Sequence, residues 1–124
     1  MAIYDNLPVF KETYDLLLEF IRQSTNLKRD FRYTIGQELK KELMELCINI
    51  YQANADCNKI EFINKGRERI VVIKLNFRIL HDTHQISTKQ FAMFADKIES
   101  ISKQLASWIK YLKKTENTKI VKTI

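Results

Sequence analysis

Residues 58–82 carry apolar side chains on two opposite faces of a helix. At about 100° per residue, one face consists of Ile70, Ile73, Phe77 and Leu80. The opposite face consists of Val71, Val72, Leu75 and Ile79. A helix in an isolated bundle needs only one apolar stripe. The second face therefore predicts an interface with another copy of the chain.

Rows of positive charge follow the same helical spacing. Between the two apolar faces lie Arg67, Lys74 and Arg78, with His81 at the edge of the row. In the last predicted helix, a second row consists of Lys103, Lys110 and Lys114. Such rows can contact phosphates but carry no base-reading chemistry, so we expect binding that is salt-sensitive and weakly sequence-specific.

The positive charge is concentrated in the second half of the chain. Residues 1–56 hold 7 Lys and Arg against 9 Asp and Glu, whereas residues 57–124 hold 14 against 6. This imbalance indicates a polyanionic partner, RNA or DNA, although lysines also serve simply to solvate a surface. In the basic connection at 27–33, Arg29 and Arg32 are candidate phosphate contacts. Phe31 and Tyr33 are either stacking groups or, more simply, plugs at the end of a bundle.

The chain reads as one all-α domain over residues 1–124. Two glycines and one proline in 124 residues favour long helices. The predicted helices are 8–26, 34–55, 58–82 and 87–114, with a frayed tail at 115–124. Connections of a few residues between them predict an up-down-up-down antiparallel four-helix bundle.

Apolar spacing and capping residues define these helices more closely. The predicted core stripe of the first helix is Phe10, Tyr14, Leu17 and Ile21. The last helix carries a seam at spacings of three and four, which consists of Phe91, Phe94, Ile98, Ile101, Leu105, Trp108 and Leu112. Capping boxes are predicted for Thr34 with Gln37 and for Ser87 with Gln90, and a similar cap for Asn58 with Glu61.

Little in the sequence indicates catalysis or a cofactor. His81 and His84 are the only histidines, and neither a metal-ligand motif nor a glycine-rich phosphate loop accompanies them. An enzyme with its site in the bundle core would need inward polar groups, whereas the stripes are almost purely apolar. No apolar run approaches the roughly 20 residues of a membrane span, and no signal peptide is visible. We therefore expect a cytoplasmic protein that is not an enzyme, with no cofactor, no metal and no membrane partner.

Three segments of the chain resemble a known family. They are 7–11 (LPVFK), 31–36 (FRYTIG) and 97–108, which includes KIE, KQL and Trp108. The family is a four-helix-bundle family that contains the proteins encoded by intervening sequences in bacterial 23S ribosomal RNA genes. It also contains the accessory variability determinant of diversity-generating retroelements. The resemblance covers roughly residues 7–112.

This resemblance implies a homopentameric barrel with a basic surface and no catalytic activity. In retroelements the accessory protein binds the reverse transcriptase and nucleic acid while template RNA is copied into cDNA. The residues expected to contact nucleic acid or the polymerase are Arg29, Arg32, Arg67, Lys74, Arg78, Lys103, Lys110 and Lys114. The expected oligomer interface is Val71, Val72, Leu75 and Ile79. The alternative is a protein-interaction module of the intervening-sequence type.

Overall fold

Four long helices and one short helical turn make up the described part of the protein. The computed structural model describes the backbone of residues 7–123 and the side chains of residues 7–116. The helices are α1 (Pro8–Ser24), α2 (Arg29–Arg32), α3 (Ile35–Ala55), α4 (Lys59–Asp82) and α5 (Thr88–Thr123). Residues 7–123 contain no strand. The predicted all-α class with four main helices is confirmed, and α2 is an addition within a connection.

The long helices close into a bundle because each packs against two others. α3 packs against α1 and α4, and α5 packs against α4 and α1. Polar contacts at three of these seams fix which residues lie side by side. They are Arg69 with Glu42 at 3.4 Å between α4 and α3, Lys74 with Glu99 at 2.8 Å between α4 and α5, and Gln104 with Glu12 at 2.6 Å between α5 and α1. These pairings match an up-down arrangement of the four helices.

A cluster of three phenylalanines holds three of the helices together. The rings of Phe77 and Phe94 stack with their centroids 4.5 Å apart. Phe20 meets both rings edge-on, at 5.6 and 6.2 Å. Because the three residues come from α4, α5 and α1, the cluster fixes these helices at one level of the core. Fully buried leucines of α3 face the same core: Leu39, Leu43 and Leu46.

The predicted core stripe of α1 is confirmed at Leu17, which is buried, and at Phe10, which packs against the core, but is wrong at Tyr14 and Ile21. Leu16 and Phe20 are fully buried, whereas Tyr14 is 46% exposed and Ile21 40% exposed. Apolar residues surround so much of α1 that two different faces of the helix have the spacing of a core stripe. The packing of α1 against α3 and α5 determines which face is buried. Thr13 can lie on the buried face because its hydroxyl donates to the carbonyl oxygen of Val9 at 2.7 Å.

One of the predicted capping boxes forms at the start of α5. The amide of Gln90 donates to the Ser87 hydroxyl at 3.0 Å, and the Gln90 side-chain oxygen accepts from the amide of Ser87 at 2.8 Å. This reciprocal pair satisfies two amides that the helix leaves without partners. The Ser87 and Gln90 prediction is therefore confirmed.

The other two predicted caps are wrong. The Thr34 hydroxyl donates to the carbonyl oxygen of Asp30 at 2.6 Å and makes no cap to α3. The turn of α2 immediately before Thr34 supplies that acceptor, which the sequence pattern did not reveal. Asn58 also makes no side-chain cap. Instead, its amide donates to the Asp56 carboxylate at 2.9 Å, so the side chain two residues earlier closes the turn before α4.

The helical boundaries differ from the prediction mainly at the end of α5. The predicted helix stops at 114 with a frayed tail at 115–124, whereas α5 continues to Thr123. Residues 115–124 contain neither glycine nor proline, so no residue interrupts the helical backbone. The end of the apolar seam was a poor guide to the end of the helix.

Candidate nucleic-acid interface

Helix α4 has the two faces that its sequence predicts. Ile70, Ile73, Phe77 and Leu80 are buried in the core. On the other side, Val71 is 68% exposed and Leu75 is 58% exposed. Val72 and Ile79 are half-buried. We call Val71, Val72, Leu75 and Ile79 the outer face of α4. It is an unusually apolar surface for a helix of a lone bundle.

The two predicted rows of cations lie on neighbouring helices. All six residues are exposed: Arg67, Lys74, Arg78, Lys103, Lys110 and Lys114. We call them the basic rows. α4 packs against α5, and Lys74 and Lys103 both lie close to Glu99 at the seam between the two helices. A polyanion that lies across this seam can contact both rows.

Acidic side chains neutralise part of the basic rows. Lys74 is paired with Glu99, and Arg78 Nε lies 3.6 Å from the Asp82 carboxylate. The hydrogen bond and charge of Lys74 hold the pKa of Glu99 below its ordinary value, and the charge of Lys103 adds to the effect. Glu99 is therefore fully ionised at neutral pH. Among the side chains of residues 7–116, Arg67 makes no ion pair.

Arg32 is used inside the protein rather than on its surface. Its Nη2 donates to the carbonyl oxygens of Thr25 at 2.9 Å and Leu27 at 3.2 Å. The guanidinium thus satisfies carbonyls just after the end of α1, a role that leaves little of it for a phosphate. Arg29, on the same short helix, is exposed. The sequence predicts the same phosphate-contacting role for both arginines, and the structure separates them.

The aromatic residues of this connection also differ from each other. Phe31 is half-buried and packs against the core, whereas Tyr33 is 59% exposed. Phe31 therefore plugs the end of the bundle, and Tyr33 does not. The Lys28 amide donates a hydrogen bond to the Gln85 side-chain oxygen at 2.9 Å. This hydrogen bond places α2 next to the α4–α5 connection. Arg29 thus lies at the same end of the bundle as Arg78.

The histidines and carboxylates of the described region are dispersed. Among residues 7–116, no three His, Cys, Asp or Glu side chains are grouped as metal ligands would be. The His81 ring lies between Asp82 at 3.3 Å and the Thr88 hydroxyl at 3.2 Å, and it stacks on Phe91 at 4.6 Å between centroids. These contacts fix the Phe91 ring at the α4–α5 seam. No helix in the described part of the chain is both long and apolar enough to cross a membrane.

The two cysteines are expected to differ sharply in reactivity. Cys47 is buried, and burial raises the pKa of its thiol to about 11, whereas Cys57 is exposed. Since the thiolate is the nucleophile, a thiol reagent at pH 8 should modify Cys57 quickly and Cys47 only after denaturation. With a reagent that releases a chromophore on reaction, the absorbance measured before and after denaturation gives the number of thiols modified in each state. A fast phase that persists in Cys57→Ser would contradict this expectation.

A cavity of about 280 Å³ opens between α4 and α5 beside the basic rows. Phe77, Phe91 and Ile98 form its apolar floor. The exposed side chains at its rim are Lys74, Arg78, Ala95 and Glu99. Sequence reasoning did not find this cavity. The only signal for it is the small residue Ala95, where a larger side chain would close the space between two helices.

A second apolar depression lies on the opposite side of α3 from the α3–α4 contact. It measures about 400 Å³ and is lined by Phe10, Tyr14, Leu17, Met44, Cys47, Ile48 and Tyr51. We call it the α1/α3 groove. Phe10, Tyr14 and Leu17, three of the four residues in the predicted stripe of α1, line this groove. The apolar residues of α1 that do not fill the core are therefore exposed here. The outer face of α4 and the α1/α3 groove are thus two separate exposed apolar surfaces.

A solved structure has the same architecture. It is the crystal structure of a protein of unknown function from the S23 ribosomal protein family of Bacteroides thetaiotaomicron VPI-5482. The two agree with a TM-score of 0.76 at 17% sequence identity, over 87% of this chain and 99% of that chain. No protein-family model matches the chain, and no curated protein matches it. At this identity the likeness concerns the fold alone: the chain shares its four-helix fold with a protein of the S23 ribosomal protein family.

Proposed function

We propose that this protein is a non-enzymatic accessory protein that binds nucleic acid and a reverse transcriptase in a diversity-generating retroelement. The observation that carries the proposal is the pair of basic rows on the neighbouring helices α4 and α5, six exposed cations in rows that come together beside Glu99. The resemblance of residues 7–11, 31–36 and 97–108 to retroelement accessory proteins supports the specific context. Template RNA and its cDNA are the polyanions expected at this seam, in the cytoplasm.

The chemistry of the basic rows suits backbone contacts. Lysine and arginine on a rigid helix meet phosphates at fixed intervals, and each contact releases counterions. Affinity should therefore fall steeply with salt. The basic rows therefore hold template or product through its backbone and contribute little sequence preference themselves.

Oligomerisation would multiply these contacts. We propose that the protein forms a homopentameric ring in which the outer face of α4 of one protomer packs into the α1/α3 groove of the next. A closed ring needs two different surfaces on each protomer, and the outer face of α4 and the α1/α3 groove are two such exposed apolar surfaces. Five copies of the basic rows on one RNA would bind with high avidity.

Charge variants on α4 and α5 test the nucleic-acid part of the proposal. Arg78→Glu should weaken binding of single-stranded RNA by about tenfold at low salt and reduce the salt dependence, because a phosphate contact becomes a repulsion. Glu99→Gln should strengthen binding, because it removes a negative charge from the seam and frees Lys74. Fluorescence anisotropy at several salt concentrations measures both effects.

The matched control is Lys41→Glu, the same change of charge at an exposed position of α3 away from the seam. It should alter binding much less than Arg78→Glu. Equal losses in the two variants would show that only net charge matters and would remove the seam as the site. For the polymerase, a reverse transcriptase encoded beside this protein should co-purify with it, and cDNA yield from template RNA should fall without it.

A protein-interaction module of the intervening-sequence type is the second candidate. The observation that favours it is the exposed apolar surface, in particular Leu75 on α4 and Ile48 and Tyr51 on α3. Binding through these residues would depend little on salt, because apolar contacts do not release counterions. Wild-type protein that ignores RNA at low salt would favour this function over the first.

A further inference from the structure

We propose that the cavity between α4 and α5 receives one base of a single-stranded nucleic acid whose phosphates lie on Lys74 and Arg78. This inference rests on the proposed nucleic-acid binding. It adds a contact that depends on the presence and kind of a base, which the basic rows alone would lack. On this proposal the cavity of about 280 Å³ is a binding site.

The floor of the cavity is apolar and held in place. Phe77 stacks on Phe94 behind it, and Phe91 stacks on His81 beside it. Ile98 is buried and completes the floor. Aromatic and aliphatic groups in fixed positions are the surface on which bases pack in sequence-tolerant single-strand sites. A base in a duplex could not reach this floor without leaving its stack.

The rim of the cavity carries positive side chains for the phosphates and one carboxylate, Glu99, for the base. Lys74 and Arg78 are exposed beside the opening, so phosphates on either side of the inserted base can reach them. This charge complementarity favours a nucleic acid over a neutral apolar ligand. Lys74 has to shift from Glu99 toward a phosphate, which costs little because that ion pair is exposed.

Glu99 gives the cavity a preference among bases. Its Oε1 accepts from Lys74, whereas its Oε2 makes no hydrogen bond to the described residues. A carboxylate oxygen accepts from the exocyclic amine of cytosine, and uracil presents a carbonyl oxygen at the same position. The carboxylate should therefore attract cytosine and repel uracil, two bases of nearly the same size.

The test compares three oligomers of equal length and charge: oligodeoxycytidine, oligodeoxyuridine and an abasic oligomer of tetrahydrofuran units. Wild-type protein should bind oligodeoxycytidine about tenfold tighter than the abasic oligomer and about fivefold tighter than oligodeoxyuridine. Because phosphate contacts are common to all three, their salt dependence should be the same. Glu99→Gln should bind all three more tightly but lose most of the preference for cytosine.

Ala95→Leu fills the opening and should reduce binding of oligodeoxycytidine to the level of the abasic oligomer without changing the salt dependence. Ala95 is exposed, so the protein should still fold. The matched control is Ala92→Leu, the same substitution at an exposed position of α5 that does not line the cavity. It should behave as wild type.

The outcomes separate the two proposals. If wild-type protein binds the three oligomers equally, the cavity is not a base site, whereas nucleic-acid binding by the basic rows stands. If Ala95→Leu keeps the preference for cytosine, the preference arises elsewhere and the cavity is again excluded. If none of the oligomers binds at low salt, the proposed function itself fails.

Discussion

Phe94→Ala is expected to lower the free energy of unfolding by about 3–5 kcal/mol. Phe94 is fully buried, and its ring contacts those of Phe77 and Phe20. The truncation would open a cavity where α1, α4 and α5 meet, and neighbouring rings cannot fill it without leaving their rotamers. Urea denaturation followed by circular dichroism measures the change. For a small helical protein it is a large fraction of the total stability.

The control for this prediction is Tyr111→Ala on the same helix. Tyr111 is 66% exposed, so losing its ring should change the stability by about 0.5 kcal/mol or less. Phe94→Leu keeps most of the apolar volume and should fall between the two. A loss below about 1 kcal/mol for Phe94→Ala would show that the phenylalanine cluster does not hold the bundle together.

The difference between α1 and α5 shows what sequence periodicity can establish. In α5 the apolar residues form one narrow seam, and Phe94, Ile98, Ile101 and Leu105 are buried where that seam predicts. In α1 the apolar residues surround more of the helix, so the periodicity is compatible with more than one orientation. Only the packing of α3 and α5 decides that Leu16 and Phe20 face inward.

Contacts that depend on a neighbouring turn were not predictable either. The roles of Arg32 and Thr34 follow from α2, a single turn that is too short to produce an apolar period. Gly66 is a similar case. A glycine in a helix interior is less favourable than an alanine by about 1 kcal/mol, but a Cβ at this position would lie 3.2 Å from Leu46 Cδ1. The glycine therefore permits close contact between α4 and α3, which a helix propensity does not express.

The candidate site also has parts that the sequence predicts and a part that it does not. The basic rows and the outer face of α4 were predictable because each lies on one helix at a regular spacing. The cavity at Ala95 belongs to two helices that are distant in sequence, and its rim depends on the ion pair between Lys74 and Glu99. No pattern along one segment could have shown it.

Leu75→Glu is expected to convert the proposed pentamer into monomers. Leu75 is 58% exposed in the protomer, so the substitution should leave the fold and its stability nearly unchanged. In a ring, the same carboxylate would be buried against the apolar α1/α3 groove without a partner, which is strongly unfavourable. Light scattering should show a fall from about five protomer masses to one. Avidity for long RNA should fall with it.

A carboxylate in the α1/α3 groove should disrupt the pentamer as much as one on the outer face of α4. The two variants together allow a more decisive experiment than either alone. Ile48→Glu alters the groove while leaving the outer face of α4 intact, so it should also yield monomers. Mixing the Leu75→Glu and Ile48→Glu proteins should then produce a heterodimer and nothing larger, because each retains one of the two complementary surfaces. Ser107→Glu, an exposed change of charge on α5 outside both surfaces, should remain pentameric. An interface made of the same surface on both subunits would give no heterodimer, and a wild-type monomer would exclude the ring altogether.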